Sequence, residues 1–138
     1  MVALTFLSDF GQGSHYTASF KGVLCKEDLS LPFIEINNQV DTNEISETAY
    51  LSKMVFEDFP IGTIHIIAIG TVAHAYNFHL IAEYKGHYFM APNNAVLSLI
   101  FGLDFDSYFA IPNPSKKLNI NYLYIPIIKH LISGNILS

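Results

Sequence analysis

Short β-rich runs alternate with helical segments along the first half of this chain, and that alternation constrains its fold more than any other feature. Residues 2–7 form a short apolar, β-rich run and predict a central strand, because strands covered on both faces carry few polar residues. Ser14 is a favourable N-cap for a helix that extends to about Glu27. Its apolar residues recur at helical spacing on one face: Tyr16, Phe20, Val23 and Leu24.

The rest of the chain continues the pattern. Further strands are predicted at 33–36, 63–69, 78–84, 87–90 and 105–111, with a hairpin turn at Lys85-Gly86. Further helices are predicted after the capping-box pattern Asp41-Thr42-Asn43-Glu44, at 94–101 and at 125–132. Strand–helix–strand order implies right-handed crossovers and parallel pairing. We therefore expect a single α/β domain over residues 1–138, three-layered, with a mostly parallel central sheet flanked by helices.

The charge content bears on partners. Charged residues make up 14% of the chain, about half the usual share, while 51% of the residues are hydrophobic. A surface so poor in charge favours coverage by another chain, so we expect a homo-oligomer rather than a sparsely charged monomer. The net charge is −5 and the seven Lys and Arg residues are scattered, which argues against nucleic-acid binding.

The cellular compartment is constrained by three features. The single Cys25 cannot form an internal disulfide, and the N-terminus lacks the basic start of a secretory signal. Residues 61–82 carry no Asp, Glu, Lys or Arg, but polar and small residues interrupt them, so two buried strands explain the run better than a membrane span. We expect a cytoplasmic protein without membrane association.

Ligands of such sheets bind beyond the carboxyl ends of the strands. That rule selects segments 9–14, 37–38, 70–77 and 91–94 as one candidate rim. Gly11-Gln12-Gly13 is only half of a dinucleotide fingerprint, because Tyr16 stands where the third glycine belongs. Asp9 suits sugar hydroxyls better than phosphate; the alternative is that it caps the helix or braces the turn.

A metal site is the weaker possibility. His74, His79 and Glu83 are loosely spaced, and His79 and Glu83 would share one face of a strand. No compact ligand signature and no cysteine pair occurs in the sequence, so ordinary core or surface histidines explain these residues better. We expect no metal and no cofactor.

Six short blocks carry a family resemblance that spans residues 3 to 134. They read LTFLSDFG at 4–11, FKGVL at 20–24, EINNQV at 35–40, PIGTIH at 60–65, YFMAPNNAVLS at 88–98 and IPIIKHL at 125–131. In this order they resemble the N-terminal half of the S-adenosyl-L-methionine (SAM) hydroxide adenosyltransferase family, which is related to the fluorinases and chlorinases. The resemblance implies a Rossmann-like N-terminal domain, followed in the family by a C-terminal β-barrel, which we expect to be absent here.

The resemblance also implies an activity. Members of the family activate water, or bind halide, to attack the ribose C5′ of SAM, releasing methionine and leaving adenosine or a halo-adenosine. Their site lies between one subunit's N-terminal domain and a neighbour's C-terminal domain, usually within a trimer. We therefore expect half of that pocket to be missing here. The implied ligand is SAM or adenosine, and the implied contacts are Asp9, Phe10, Gly11, Ser14, Asn38, Asn93 and Asn94.

This chain departs from the family where water is activated. The positions of the activating Asp, Arg and His fall on Gly70, Asn77 and Asn119, and His74 could substitute for one group if the loop is remodelled. The favoured hypothesis is a catalytically degenerate domain that binds an adenosyl ligand weakly or serves in assembly. A second is a working SAM hydrolase with rewired residues or a partner chain that supplies the barrel. A third is an unrelated Rossmann-like binder of a nucleotide or small molecule.

Overall fold

The computed structural model describes residues 3–41, 43–71, 75–102, 104–114, 116 and 119–134. Its strands are β1 (Leu4–Ser8), β2 (Phe33–Asn37), β3 (Ile64–Ala68), β4 (Phe78–Tyr84), β5 (His87–Pro92) and β6 (Ser107–Pro112). Its α-helices are α1 (His15–Lys26), α2 (Ile45–Val55), α3 (Val96–Phe101) and α4 (Asn121–Ile132).

The six strands form one sheet in the order β2-β1-β3-β5-β4-β6. Strands β2, β1, β3 and β5 are parallel, whereas β4 runs antiparallel to both of its neighbours. Every residue of β1 and β3 is buried, as expected for strands covered on both faces. The predicted α/β class with a mostly parallel sheet is confirmed.

Helices cover both faces of the sheet, and the sheet separates the core into two clusters of buried residues. The aromatic and aliphatic residues of α1 and α4 pack on one face, around Phe6, Phe20 and Tyr124. The residues of α2 and α3 pack on the other face, around Phe56 and Phe89. Helices α1 and α4 run in the same direction, because Asn121 bonds to Ser19 near their starts and Lys129 pairs with Glu27 near their ends.

Three predicted details were wrong. The capping box does not form: Asp41 Oδ1 accepts the Asn43 N–H in a preceding turn, and Glu44 precedes α2 without a side-chain cap bond. The helix expected from residue 94 begins at Val96, because Ala95 adopts a left-handed conformation with φ of 72°. Helix α4 begins four residues before the predicted start and contains Pro126, which has no N–H to donate within the helix.

Candidate functional site

The four parallel strands end at one edge of the sheet, which we call the carboxyl edge. Their last residues are Ser8, Asn37, Ala68 and Pro92. Strand β4 begins at this same edge, because it is antiparallel and His79 pairs with Pro92. The structure therefore brings the four predicted rim segments to one edge, although residues 72–74, including His74, lie outside the described residues.

Asp9 connects two of these segments. Its Oδ2 accepts the backbone N–H of Gly70 at 2.9 Å, which ties the turn after β1 to the turn after β3. Gly70 is buried and has φ of 76°, a conformation that glycine adopts without strain. The alternative that Asp9 braces the turn is thus realised in the structure.

A hydrogen-bond chain links β1 to the turn after β2. The buried Ser8 hydroxyl donates to Asn38 Oδ1 at 2.8 Å, and Asn38 Nδ2 donates to Glu35 Oε1 at 2.9 Å. The Asn38 carbonyl also accepts the Gly11 N–H at 2.6 Å. Asn38 is therefore held in one orientation. It lines a polar cleft of about 270 Å³ formed by residues 12–13 and 35–39.

The first turn of α1 completes this side of the edge. Ser14 caps the helix as predicted, its Oγ accepting the Tyr16 N–H at 3.0 Å. The Phe10 ring packs between Phe6 and Tyr16, with ring centroids 5.8 Å and 5.4 Å apart. Tyr16 is 40% exposed, so an aromatic ring stands beside the edge and is accessible from solvent.

On the far side, Asn94 takes a structural position. Its Nδ2 donates to the Ile69 carbonyl at 3.2 Å, and its Oδ1 accepts the Val96 N–H at the start of α3. Asn93 is exposed, and its backbone N–H donates to the Phe78 carbonyl. The structure thus places both asparagines at the carboxyl edge, with the Asn94 side chain already engaged and that of Asn93 directed at solvent.

Two buried hydroxyls near this edge lack hydrogen-bond partners among the described residues. Thr71 follows Gly70 and is 1% exposed, and Thr17 lies in the first turn of α1 and is 5% exposed. A buried hydroxyl without a partner costs roughly 1–3 kcal/mol, so such groups are often satisfied by water or a ligand. Sequence reasoning did not single out either residue. The available signal for Thr71 was a polar residue three positions after the end of the buried strand β3.

The three positions that the resemblance assigns to water activation carry no acidic or basic side chain. Gly70 has no side chain, and Asn77 is exposed with its carbonyl accepting the Asn113 N–H at 2.9 Å. Asn119 Oδ1 accepts the Asn121 N–H at the start of α4, and Asn119 lines a groove of about 380 Å³ between α1 and α4. Across the part of the chain that the structure describes, no cluster of His, Cys, Asp and Glu could hold a metal ion.

His79 is in the core rather than at a surface site. Its Nδ1 lies 2.7 Å from the Tyr124 hydroxyl, and both side chains are at most 2% exposed. Burial lowers the pKa of His79 to about 4 and raises the pKa of Tyr124 well above its ordinary value. The pair is therefore neutral at neutral pH and satisfies itself, which is the core-histidine interpretation.

A second buried histidine pair lies toward the opposite edge. His65 Nδ1 is 2.8 Å from the Thr5 hydroxyl, and its Nε2 is 3.1 Å from His87 Nδ1. Burial, and secondarily the charge of His87, lower the pKa of His65 to about 3. Burial also lowers the pKa of His87, opposed by the Glu57 carboxylate. The His65 ring stacks on the Phe89 ring and the His87 ring packs edge-on against the Phe56 ring, so both histidines are core groups.

The fold and the polar carboxyl edge define an α/β domain of the kind that binds ligands beyond its strand ends. A family model for the SAM hydroxide adenosyltransferase N-terminal domain matches residues 4–138. The chain belongs to this family.

Solved structures agree on the fold. A conserved hypothetical protein from Thermus thermophilus superimposes with a TM-score of 0.77 at 20% identity, over 99% of this chain and 55% of that one. An uncharacterized conserved protein from Thermotoga maritima gives a TM-score of 0.79 at 24% identity, over 98% of this chain and 55% of that one. This chain thus spans about half the length of either.

No curated protein matches. Within the described ranges, no helix is long and apolar enough to cross a membrane.

Proposed function

We propose that this chain is a binding domain for adenosyl compounds, SAM or adenosine, that does not itself hydrolyse SAM. The observation that carries the proposal is the hydrogen bond between Asp9 and Gly70. Asp9, which the family resemblance places against the ribose, accepts the backbone N–H of Gly70, and residue 70 is the position where the family carries its activating carboxylate. Family membership supports the ligand class.

The edge has groups suited to a nucleoside. A carboxylate accepts hydrogen bonds from vicinal ribose hydroxyls, and its bond to Gly70 fixes Asp9 before a ligand arrives, which lowers the entropic cost of binding. The exposed Tyr16 ring offers an apolar face to a base. The buried hydroxyl of Thr71, next to Gly70, gains a partner when a polar ligand group reaches it.

Hydrolysis needs groups that these positions do not supply. Attack at C5′ requires water to be held in line and to transfer a proton to a base. Glycine at 70 offers no side chain, and the amides of Asn77 and Asn119 are not bases at neutral pH. Water in such a site stays a poor nucleophile, so we expect the ligand to be bound and left intact.

Assembly and compartment follow the same reasoning. The low charge content and family membership support a homo-oligomer, for which the family implies a trimer. Cys25 is free and exposed, which suits a reducing compartment such as the cytoplasm.

Calorimetric titration of the purified chain with SAM, adenosine and methionine tests binding. We expect binding of SAM and adenosine, and an increase of about tenfold or more in Kd for Asp9→Asn, because the charged acceptor is lost. Asp58→Asn, an exposed site outside the carboxyl edge, is the matched control and leaves Kd unchanged. Absence of heat with both adenosyl compounds, in protein shown to be folded, refutes the binding proposal.

Chromatography of the same mixtures tests catalysis separately. We expect adenosine from SAM to accumulate no faster than without protein. Adenosine formed above that background, and abolished in Asp9→Asn, would establish the rewired hydrolase instead.

A further inference from the structure

Strand β6 is a sheet edge with little protection. It is the last strand of the sheet, and no strand among the described residues pairs with its outer side. Its register with β4 runs without interruption from Ser107 to Pro112. Tyr108 is 61% exposed and Phe109 is 37% exposed. Edge strands of soluble proteins usually carry charges, bulges or a cover that block further pairing, and β6 carries neither a charge nor a bulge.

The backbone of β6 has a defined outward pattern. The Asn113 N–H donates to the Asn77 carbonyl, which marks 113 and 77 as a hydrogen-bonded pair of the antiparallel ladder. Hydrogen-bonded pairs alternate along the strand, so the backbone N–H and C=O groups of Phe109 and Ile111 point toward β4. Those of Tyr108 and Ala110 point outward. Pro112, the next outward residue, has no N–H, so pairing beyond it would lack a donor.

The charges beside the strand are of opposite sign at its two ends. Asp104 and Asp106 precede β6, and Lys116 follows it, with all three exposed. A second β6 lying antiparallel would bring its basic end beside the acidic end of the first.

An apolar groove lies next to the same strand. It has a volume of about 380 Å³ between β6 and α4, and Phe109 is one of its walls together with Pro126 and Ile127. A ring from a neighbouring strand at this edge could be buried there. The outward backbone groups, the flanking charges and the apolar groove are therefore all complementary to a second copy of β6.

We propose that β6 pairs antiparallel with β6 of a second copy of this chain, about a two-fold axis at Phe109, joining two six-stranded sheets into one. Tyr108 then exchanges backbone hydrogen bonds with Ala110 of the partner subunit, and the symmetry repeats the pair. Phe109 of the partner subunit enters the groove beside Pro126. Asp104 lies near Lys116 of the partner subunit.

Sedimentation-velocity centrifugation across a concentration series tests this contact. We expect the β6 contact to form reversibly in the micromolar range, as for small interfaces, whether it joins single chains or the trimers that the family implies, and to weaken with added salt. Ala110→Pro removes an outward N–H that β4 does not use, and Tyr108→Lys places a charge on the edge. Each should raise the dimer Kd by about tenfold or more. Tyr50→Lys is the matched control, since Tyr50 on α2 is 60% exposed and lies away from the edge.

The alternatives are distinguishable. A wild-type chain that stays monomeric to several hundred micromolar overturns the proposal. So does an oligomer, such as a trimer, that is unchanged by Tyr108→Lys. Circular dichroism confirms that each variant is folded; if Ala110→Pro unfolds, the lysine variant alone decides.

Discussion

The buried histidines make the stability of this fold depend on pH in a direction that can be worked out. His65 and His79 have pKa values of about 3 and about 4 in the folded chain, chiefly because of burial. In the unfolded chain each returns to about 6.5, so the unfolded state binds these protons first as the pH falls. Their stabilising contribution is complete above about pH 6.5 and is lost as the pH drops toward the folded pKa values.

The magnitude is large for a domain of this size. One pKa unit corresponds to about 1.4 kcal/mol, so at pH 5 each histidine lowers the free energy of unfolding by about 2 kcal/mol, and both together by about 4 kcal/mol. A typical domain has only about 5–15 kcal/mol in total. His87 acts in the same direction, because burial lowers its pKa as well.

Urea denaturation followed by circular dichroism between pH 5 and pH 8 measures this. Between pH 6 and pH 5 the free energy of unfolding should fall by about 2–2.7 kcal/mol, approaching one proton each for His65 and His79. His79→Asn retains a group that can bond to the Tyr124 hydroxyl but does not titrate, so the slope should decrease by up to about 1.4 kcal/mol per pH unit.

His15→Asn is the control, because His15 is exposed on the first residue of α1 and its replacement should leave the slope unchanged. A slope near zero in the wild type, or one that His79→Asn does not reduce, would refute the assignment of these histidines as buried neutral groups.

Two further substitutions probe the carboxyl edge. Thr71→Val removes a buried hydroxyl that has no partner among the described residues, so it should raise the free energy of unfolding by up to about 1 kcal/mol and weaken adenosine binding in calorimetry. Thr63→Val is the control: it breaks a bond to the Pro60 carbonyl, so it should lower the free energy of unfolding by about 1 kcal/mol and leave binding unchanged. Gly70→Asp returns the family's carboxylate but requires φ of 76°, so thermal denaturation should show a loss of about 1–2 kcal/mol, and adenosine release from SAM should stay at background because Asn77 and Asn119 are unchanged. Adenosine release by that single variant would contradict the proposed reason for inactivity.

The layered fold could be predicted from local patterns. Continuous apolar runs such as that around Phe6 identify strands that are covered on both faces, and the Ser14 cap marks the start of α1. The order of these elements implies parallel pairing, and parallel pairing places Asp9 and Asn38 at one edge. None of these steps requires knowledge of a specific tertiary contact.

The details of the site required contacts that no local pattern encodes. The bond between Asp9 and Gly70 joins residues 61 positions apart, and it depends on where β1 and β3 end relative to each other. Likewise, the sequence around His79 suits a surface or a core, and only the packing of α4 against the sheet brings Tyr124 to it. The predicted capping box does not form, because the Asp41 side chain accepts the Asn43 N–H in a turn that precedes α2.

The central claim is that the carboxyl edge holds an adenosyl ligand, and nuclear magnetic resonance titration with adenosine locates the ligand directly. In two-dimensional ¹H–¹⁵N spectra of the assigned chain, we expect the largest shifts at the amides of Gly11, Gly70 and Thr71. Shifts confined to the groove between α1 and α4, at Ser19 and Asn121, or no shifts at millimolar adenosine, would contradict it.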